Sequence, residues 1–308
     1  MRVDLEGVTA VLVTGYRDGT AQVDRAAVTA LATRVSDGGV PVLTALGNTA
    51  EVHQLQGPER REVLEAVAEA GHPGTMLAGV AGPMSGMLRE IELAHALGYH
   101  AAMVHEPADP FGDGTGLVRF YTELAQWSAL PLVLYVRSTR LSGTQLRTLA
   151  GHERVVGVKY ARPDLHTLGS LLRSGAGAMC TWINGLAESH ALAFAGIGVT
   201  SFTSGIANAR PEIAMALHLG VTSGDLRAVR RLVEEYIGEV EALRAERAGR
   251  HNVSVIKELL RWEGLDTGGV RAPHEELDEG ARTRLISVRG YRPTLEAVVL
   301  GSSSRETP

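Results

Sequence analysis

The sequence predicts an α/β fold, a (β/α)8 TIM barrel with a C-terminal helical segment. Short apolar runs rich in β-branched residues alternate with amphipathic stretches of helical length, which is typical of a parallel sheet with crossover helices. Some runs, such as Pro131-Leu-Val-Leu-Tyr135, lack polar alternation, as expected for strands covered on both faces. Eight runs occur between residues 8 and 203, and no G-x-G-x-x-G motif follows the first. These features favour a barrel over an open, doubly wound sheet.

The predicted strands are apolar runs of six or seven residues. They are Val8–Thr14, Val40–Leu46, Gly74–Val80, His100–His105, Pro131–Val136, Val155–Tyr160, Ala178–Ile183 and Gly198–Thr203. The stretches between them carry apolar residues at helical spacing. The clearest predicted helices are Asp24–Ser36, Pro58–Ala70, Ser85–Leu97, Leu117–Trp127 and Pro163–Arg173.

After Asn208 the strand pattern stops and only helical patterns follow. These are Pro211–Leu219, Asp225–Arg247, Val253–Trp262 and Glu275–Ser287, and Gly220 and Gly264 are expected to end two of them. We therefore place a barrel domain at residues 1–223 and a helical domain at 224–298. Residues 299–308, which are polar from Gly301 onward, are expected to be a disordered tail.

Composition restricts the class of protein. The chain has 308 residues, of which 44% are hydrophobic and 21% charged, so a disordered or fibrous protein is excluded. A net charge of −5 gives no electrostatic support for a nucleic-acid partner. Cys180 is the only cysteine, which excludes an intramolecular disulfide and a cysteine-based zinc site. No apolar run approaches the ~18 residues of a membrane span, and no leader opens the chain, so we expect a cytoplasmic protein without membrane contact.

Lysine usage identifies the first candidate catalytic residue. Of 30 cationic side chains, only Lys159 and Lys257 are lysines. Arginine stays protonated, whereas a desolvated lysine loses its proton and attacks a ketone. Lys159 ends an apolar predicted strand, where burial would lower its pKa. The alternative is a lysine that reaches out to solvent, and the scarcity of lysine in the chain counts against it. Lys257 lies on a predicted helix outside the barrel, so we expect it to form a structural ion pair.

Other candidate residues follow neighbouring strands. Tyr135 ends the fifth strand and could move protons near Lys159, although a strand tyrosine is more often part of a core. Arg137 and Arg140 follow it and could each bind a carboxylate with two hydrogen bonds. Asn48 and Thr49, after the second strand, could bind a keto-acid carboxylate or simply form a turn.

Several short segments occur in the order and spacing of a known family. They are Thr9-Ala-Val-Leu-Val-Thr-Gly-Tyr16, Leu46-Gly-Asn-Thr-Ala-Glu51 with Leu55 and Glu59-Arg60, Leu132-Val-Leu-Tyr135, Val156-Gly-Val-Lys159, Lys257-Glu-Leu-Leu with Gly264, and Arg271-Ala-Pro273. In these segments the chain resembles the dihydrodipicolinate synthase/N-acetylneuraminate lyase superfamily of class I, Schiff-base aldolases and dehydratases. The resemblance implies that Lys159 forms the imine and that Tyr135 relays protons.

The resemblance also implies a small-molecule 2-keto acid substrate, no metal or other cofactor, and a homo-oligomer, either a tetramer or a dimer. By the same resemblance, Thr49 belongs to the catalytic group and binds the keto-acid carboxylate together with Asn48. Arg140, with Arg137, would hold a distal carboxylate or hydroxyls. Ser204, near the end of the eighth predicted strand, would contact substrate or cap the following turn.

Some segments depart from the synthase pattern. His105-Glu-Pro-Ala-Asp109 replaces a P-Y-Y turn whose second tyrosine joins the neighbouring subunit's proton relay in the synthase. Tyr135-Val-Arg137 and residues 198–211 resemble 5-dehydro-4-deoxyglucarate dehydratases instead. The sequence thus predicts a lyase, an aldolase or a dehydratase, acting on a 2-keto acid that is either pyruvate-like or derived from a sugar acid. The first alternative is 4-hydroxy-tetrahydrodipicolinate synthase, which condenses pyruvate with aspartate semialdehyde.

Two further classes stay open on the sequence alone. His105, Glu106 and Asp109 are metal-ligand types at the end of the fourth strand, which allows a metal-dependent aldolase, although their spacing matches no specific site. The absence of the second tyrosine that the P-Y-Y turn supplies to the relay in the synthase also allows a catalytically inactive binding protein.

Overall fold

Eight parallel strands close into a barrel in the computed structural model, which describes residues 3–17 and 22–290. Each strand pairs with the next one in the chain, and the eighth pairs with the first, so the predicted fold class is confirmed. The strands are β1 (Val8–Val11), β2 (Val42–Ala45), β3 (Thr75–Val80), β4 (Ala101–His105), β5 (Leu132–Val136), β6 (Val155–Tyr160), β7 (Thr181–Asn184) and β8 (Phe202–Ser204). Nearly all of their side chains are buried, which explains the missing polar alternation.

Several strands are shorter than predicted because the chain leaves the sheet for other hydrogen bonds. The predicted first strand extends to Thr14, but Val13 N–H donates to the side-chain oxygen of Asn208 at 3.0 Å rather than to a neighbouring strand. Before β7, residues Ala176–Ala178 form a 3-10 turn, so the strand begins only at Thr181.

Helices connect successive strands on the outside of the barrel. They are α1 (Arg25–Asp37), α2 (Gly57–Glu69), α3 (Met84–Ala96), α4 (Gly114–Trp127), α5 (Gly143–Ala150), α6 (Leu165–Arg173), α7 (Ala191–Ala195) and α8 (Pro211–Ser223). Side chains cap several N-termini; the Asp24 carboxylate, for example, accepts from Ala27 N–H. α5 is absent from the clearest sequence predictions, although Ser142 and Gln145 form a capping box at its start.

Gly220 does not end the eighth barrel helix, contrary to the prediction. α8 continues to Ser223 and is ended by Gly224, whose φ of 74° is left-handed. A Cβ on Gly220 would lie 2.9 Å from Val229 Cγ2 of the next helix. Gly220 is therefore a close-packing position rather than a terminator.

The C-terminal segment comprises α9 (Leu226–Leu232), a π-helical turn (Val233–Ile237), α10 (Gly238–Gly249), α11 (Asn252–Trp262) and α12 (Glu279–Ile286). The regular backbone of α10 stops before Glu246, and Arg247 and Ala248 have positive φ. α12 starts later than predicted, since Asp278 caps it by accepting from Ala281 N–H. The expected tail at 299–308 and residues 291–298 of the proposed helical domain lie outside the described residues.

Within the described residues, no helix combines the length and the apolar character that a membrane span requires.

Candidate active site

Lys159 lies in β6 near the C-terminal end of the barrel, and its side chain is only 4% exposed. In the described part of the chain, no carboxylate lies within ion-pair distance of its Nζ. Burial, with a smaller contribution from the Arg137 charge, lowers the pKa of Lys159 to about 7. The solvent-exposed interpretation is therefore wrong, and a substantial fraction of the amine is unprotonated at neutral pH.

Tyr135 is the neighbour of Lys159 across the sheet. The two residues pair in register between β5 and β6, and Nζ lies 4.1 Å from the centroid of the phenol ring. The Tyr135 hydroxyl accepts a hydrogen bond from Asn48 Nδ2 at 3.2 Å. Burial raises the pKa of Tyr135, so the phenol keeps its proton at neutral pH and is able to donate it.

Asn48 and Thr49 belong to a tight turn after β2. Leu46 and Glu51, on either side of the turn, have left-handed backbones with φ of 57° and 58°. Non-glycine residues rarely adopt this conformation, at a cost of about 1–3 kcal/mol each. Thr49 is buried but lines the same cavity as Lys159, and Asn48 Oδ1 has no hydrogen-bond partner in the described residues. An open acceptor and a hydroxyl are thus held beside the lysine.

The two predicted arginines have different surroundings. Arg140 Nε donates to Glu106 Oε1 at 2.9 Å, and its Nη atoms donate to the carbonyls of Pro107 and Asp109 at 2.6 and 3.1 Å. Arg140 therefore holds the loop after β4, although it also lines the outer part of the site. Arg137 is exposed, and its guanidinium has no ion pair with any described residue. Of the two, Arg137 is the one available to an anionic ligand.

Ser204, at the end of β8, lies at the edge of the site and is fully buried. Its Oγ donates to Glu188 Oε1 and accepts from Ala207 N–H at 2.8 Å. Burial and the nearby Glu241 charge raise the pKa of Glu188, which also faces Arg244 at 3.6 Å. The predicted capping role of Ser204 is therefore present, and its hydroxyl is already engaged.

The ligands of the metal-dependent alternative do not converge. His105 Nε2 hydrogen-bonds the Leu46 carbonyl at 3.0 Å, and Glu106 accepts from the backbone N–H groups of Arg137 and Ser138. Burial lowers the pKa of His105 to about 3, so the imidazole is neutral. Among residues 3–17 and 22–290, no group of three His, Cys, Asp or Glu side chains is arranged to hold a metal ion. These residues stabilise the loops around the site instead.

The candidate site residues line two adjoining cavities, which have Asn48, Tyr135 and Arg137 in common. The inner one, about 320 Å³, contains Lys159, and the outer one, about 400 Å³, extends to the loop after β4. A larger cavity of about 700 Å³ lies at the opposite end of the barrel, near Cys180, whose pKa burial raises to about 12. The chemistry is concentrated in the two smaller cavities, at the end where barrel enzymes place their active sites.

The sequence analysis did not identify the wall that the helical segment adds to the inner cavity. Glu241, Arg244 and Asn252, from α10 and α11, line it. Arg244 donates to Asn252 Oδ1 at 2.8 Å and packs so closely on Gly205 that a Cβ there would lie 2.5 Å from its Nη2. No local pattern predicts such contacts between distant segments. Glu188 was detectable in principle, since it follows the end of β7 as the other candidates follow their strands.

Lys257, on α11, lies outside both cavities. Its Nζ is 3.4 Å from Glu51 Oε1, and both side chains are almost fully buried. The expectation of a structural ion pair is thus confirmed.

A desolvated, unpaired lysine beside a tyrosine, at the end where barrel enzymes place their active sites, defines a barrel protein with a nucleophilic amine in its cavity. Comparison with known proteins agrees with this class. Residues 4–288 match the profile described as the dihydrodipicolinate synthetase family, so the chain belongs to this family. It is an enzyme of the lyase class that this family represents.

Individual relatives carry two activities in their names. The chain is 31% identical to "Probable 5-dehydro-4-deoxyglucarate dehydratase 1" of Streptomyces avermitilis, over 83% of this chain and 84% of the relative. It is 29% identical to the 4-hydroxy-tetrahydrodipicolinate synthase of Mycolicibacterium paratuberculosis, over 86% and 87%. The crystal structure of dihydrodipicolinate synthase from Bacillus clausii superimposes with a TM-score of 0.88 at 29% identity, covering 92% of this chain and 96% of that one.

Proposed function

We propose that the protein is a class I lyase that dehydrates an acidic, sugar-derived 2-keto acid through a Schiff base on Lys159. The observation that carries this proposal is the in-register pair of Tyr135 and Lys159, with the amine buried and unpaired. The unprotonated Nζ attacks the C2 carbonyl of the keto acid, and the resulting carbinolamine loses water to give an imine. Tyr135 supplies the proton that the departing hydroxyl group needs.

The protonated imine then serves as an electron sink. Tyr135, left as a phenolate, takes a proton from the carbon next to the imine carbon and gives it to the hydroxyl on the following carbon, which leaves as water. Hydrolysis of the imine returns the amine of Lys159 and releases the product. The Thr49 hydroxyl and the second N–H of Asn48 Nδ2 donate to the carboxylate next to the keto group, because both residues line the cavity that contains Lys159.

Arg137 binds the distal carboxylate in this proposal. Its guanidinium is exposed at the junction of the two cavities, whereas that of Arg140 is engaged by Glu106. A dicarboxylate is the substrate class that such a free cation selects. The dehydratase names among the relatives support the same choice.

The alternative condensation of pyruvate with aspartate semialdehyde is favoured by two comparisons, the relative of that name in Mycolicibacterium paratuberculosis and the solved dihydrodipicolinate synthase of Bacillus clausii. It has less support from the site, because Arg140, one of the two residues expected to hold a distal carboxylate, anchors a loop.

Borohydride trapping tests the proposal. The protein is incubated with pyruvate and a panel of sugar-derived 2-keto acids, reduced, and examined by intact mass and peptide mapping. We expect one adduct per chain, on Lys159, with a dicarboxylic keto acid trapped at the lowest concentration. Pyruvate trapping with turnover only on addition of aspartate semialdehyde would favour the alternative, and no adduct on a folded protein would refute Schiff-base chemistry.

A further inference from the structure

Lys257 and its surroundings form a second buried polar cluster, outside the cavities. The Lys257 ammonium lies 3.4 Å from Glu51 Oε1, donates to the Gly269 carbonyl and sits 4.3 Å from the centroid of the Tyr16 ring. Lys257 is only 2% exposed and Glu51 only 1%. A buried carboxylate is stable only when it is paired and hydrogen-bonded, so Glu51 depends on these partners.

Glu51 ends the turn that carries Asn48 and Thr49. Its Oε2 accepts from Arg271 N–H at 2.7 Å, so both carboxylate oxygens face the C-terminal segment. Its own N–H donates to the Asn48 carbonyl at 3.0 Å. The left-handed backbone of Glu51 is unfavourable in isolation, and the buried contacts of its side chain hold it in place.

The Asn48–Glu51 turn contacts the proposed reacting groups through the Asn48 side chain. Asn48 Nδ2 donates to the Tyr135 hydroxyl, and Tyr135 is the residue on whose ring the Lys159 amine lies. A continuous series of contacts therefore runs from α11 through Glu51 and the turn to the phenol. A displacement of the turn by about 1 Å is enough to reduce a rate by about two orders of magnitude.

We propose that Lys257 is a positioning residue: through its ion pair with Glu51 it holds the Asn48–Glu51 turn in the geometry that Tyr135 and the substrate carboxylate require. The inference rests on the proposed function of that turn. It assigns to the helical segment a role in catalysis besides stability. It also explains why a chain that uses arginine for 28 of its 30 cations has a lysine here. The space between the Tyr16 ring, Gly269 and Glu51 fits a compact ammonium, whereas a guanidinium is larger and planar.

Lys257→Met tests the proposal, with Arg261→Met as the matched control. Arg261 is a half-exposed cation on the same helix, and it pairs with Glu258 and Asp266 rather than with the turn. The number of competent sites is counted by borohydride trapping at saturating keto acid, and kcat is expressed per trapped site. We expect Lys257→Met to lower kcat per site about tenfold or more and to raise KM, and Arg261→Met to stay within about twofold of wild type.

Hydrogen exchange in the free protein gives a readout that does not depend on catalysis. Ala50 N–H donates to the Gly47 carbonyl and Glu51 N–H to the Asn48 carbonyl, so both amides report on the turn. We expect Lys257→Met to accelerate their exchange about tenfold or more relative to amides of β5, and Arg261→Met to leave it unchanged. Glu51→Gln, which keeps the side-chain shape without the charge, should show the same two effects if Lys257→Met fails to fold.

The outcomes separate the two proposals. Normal trapping of wild type with unchanged kcat per site, KM and turn exchange in a folded Lys257→Met protein would overturn the positioning role alone. A lower melting temperature as the sole effect would likewise reduce Lys257 to a structural residue. Absence of any trapped wild-type chain would overturn the proposed function and, with it, the catalytic part of this inference.

Discussion

The two lysines of the chain are both buried, but the groups that surround their amines differ. At the end of β6, Lys159 lies against the Tyr135 ring and lines the inner cavity, and no described carboxylate pairs with it. On α11, Lys257 is equally buried but has the Glu51 carboxylate and the Gly269 carbonyl as partners. Burial lowers both pKa values, to about 7 for Lys159 and about 8 for Lys257, where Glu51 opposes the shift. The two lysines thus share burial and differ in pairing, since only Lys257 has a carboxylate partner among the described residues.

Lys159→Met gives the largest expected effect, because it removes the only nucleophile of the proposed mechanism. We expect turnover to fall at least about 1,000-fold and borohydride trapping to disappear. Circular dichroism and thermal unfolding check that the fold is retained. Lys257→Met should still be trapped on Lys159; an adduct on Lys257 in wild type or in Lys159→Met would contradict the assignment of roles.

Arg137→Met should affect the substrate's distal end and leave the imine chemistry unchanged. We expect KM for a dicarboxylic keto acid to rise about tenfold or more, since a hydrogen bond to a charged group is lost. The concentration of pyruvate needed for half-maximal trapping should change little, because pyruvate has no distal carboxylate. If Arg137→Met weakened the binding of the dicarboxylic keto acid and of pyruvate equally, Arg137 would instead act through the pKa of Lys159.

The pH dependence of imine formation follows from the lowered pKa of Lys159. Only the neutral amine attacks, so the trapping rate at low pyruvate should rise about tenfold between pH 6 and pH 8 and then level off. A lysine with an ordinary pKa would continue to gain reactivity up to about pH 10.4. A trapping rate that still rises above pH 9 would therefore show that burial does not lower the pKa of Lys159 to about 7.

Stability measurements should show opposite signs for the two lysines. Lys159→Met removes an unpaired buried amine and should raise the free energy of unfolding at pH 7 by at least about 1.4 kcal/mol, the equivalent of one pKa unit. Lys257→Met leaves Glu51 buried without its cation and should lower it by about 3–5 kcal/mol. Urea unfolding at pH 7 measures both changes in the free energy of unfolding. Changes of the same sign in the two variants would contradict the proposed difference between the two lysines.

The lowered pKa of Lys159 also predicts how the stability of wild type depends on pH. The folded-state pKa of Lys159 lies below its unfolded value, so the unfolded chain binds more protons between about pH 7 and pH 10.5. The contribution of this group to stability therefore rises with pH across that window. Lys159→Met should reduce the slope there, and an unchanged slope would mean that another group causes it.

Local sequence patterns predicted the residues that lie at strand ends. Lys159 and Tyr135 were identifiable because both end apolar runs, and parallel strands bring such ends together. The difference between Arg137 and Arg140 was not visible, since it depends on Glu106, from a loop 31–34 residues away in the chain. Gly220 shows the same limit: its neighbour Val229 explains the glycine, and helix-end statistics do not.

The wall formed by Arg244 and Asn252 has a consequence for the order of events during synthesis. All eight strands precede residue 205, and domains fold from the N-terminal end as they emerge. The wall formed by Arg244 and Asn252 is therefore added to the inner cavity only after all eight strands have been synthesised. Arg244 then closes over Gly205, which has no side chain to obstruct it. This wall thus shields the Lys159 amine from water only late in the synthesis of the chain.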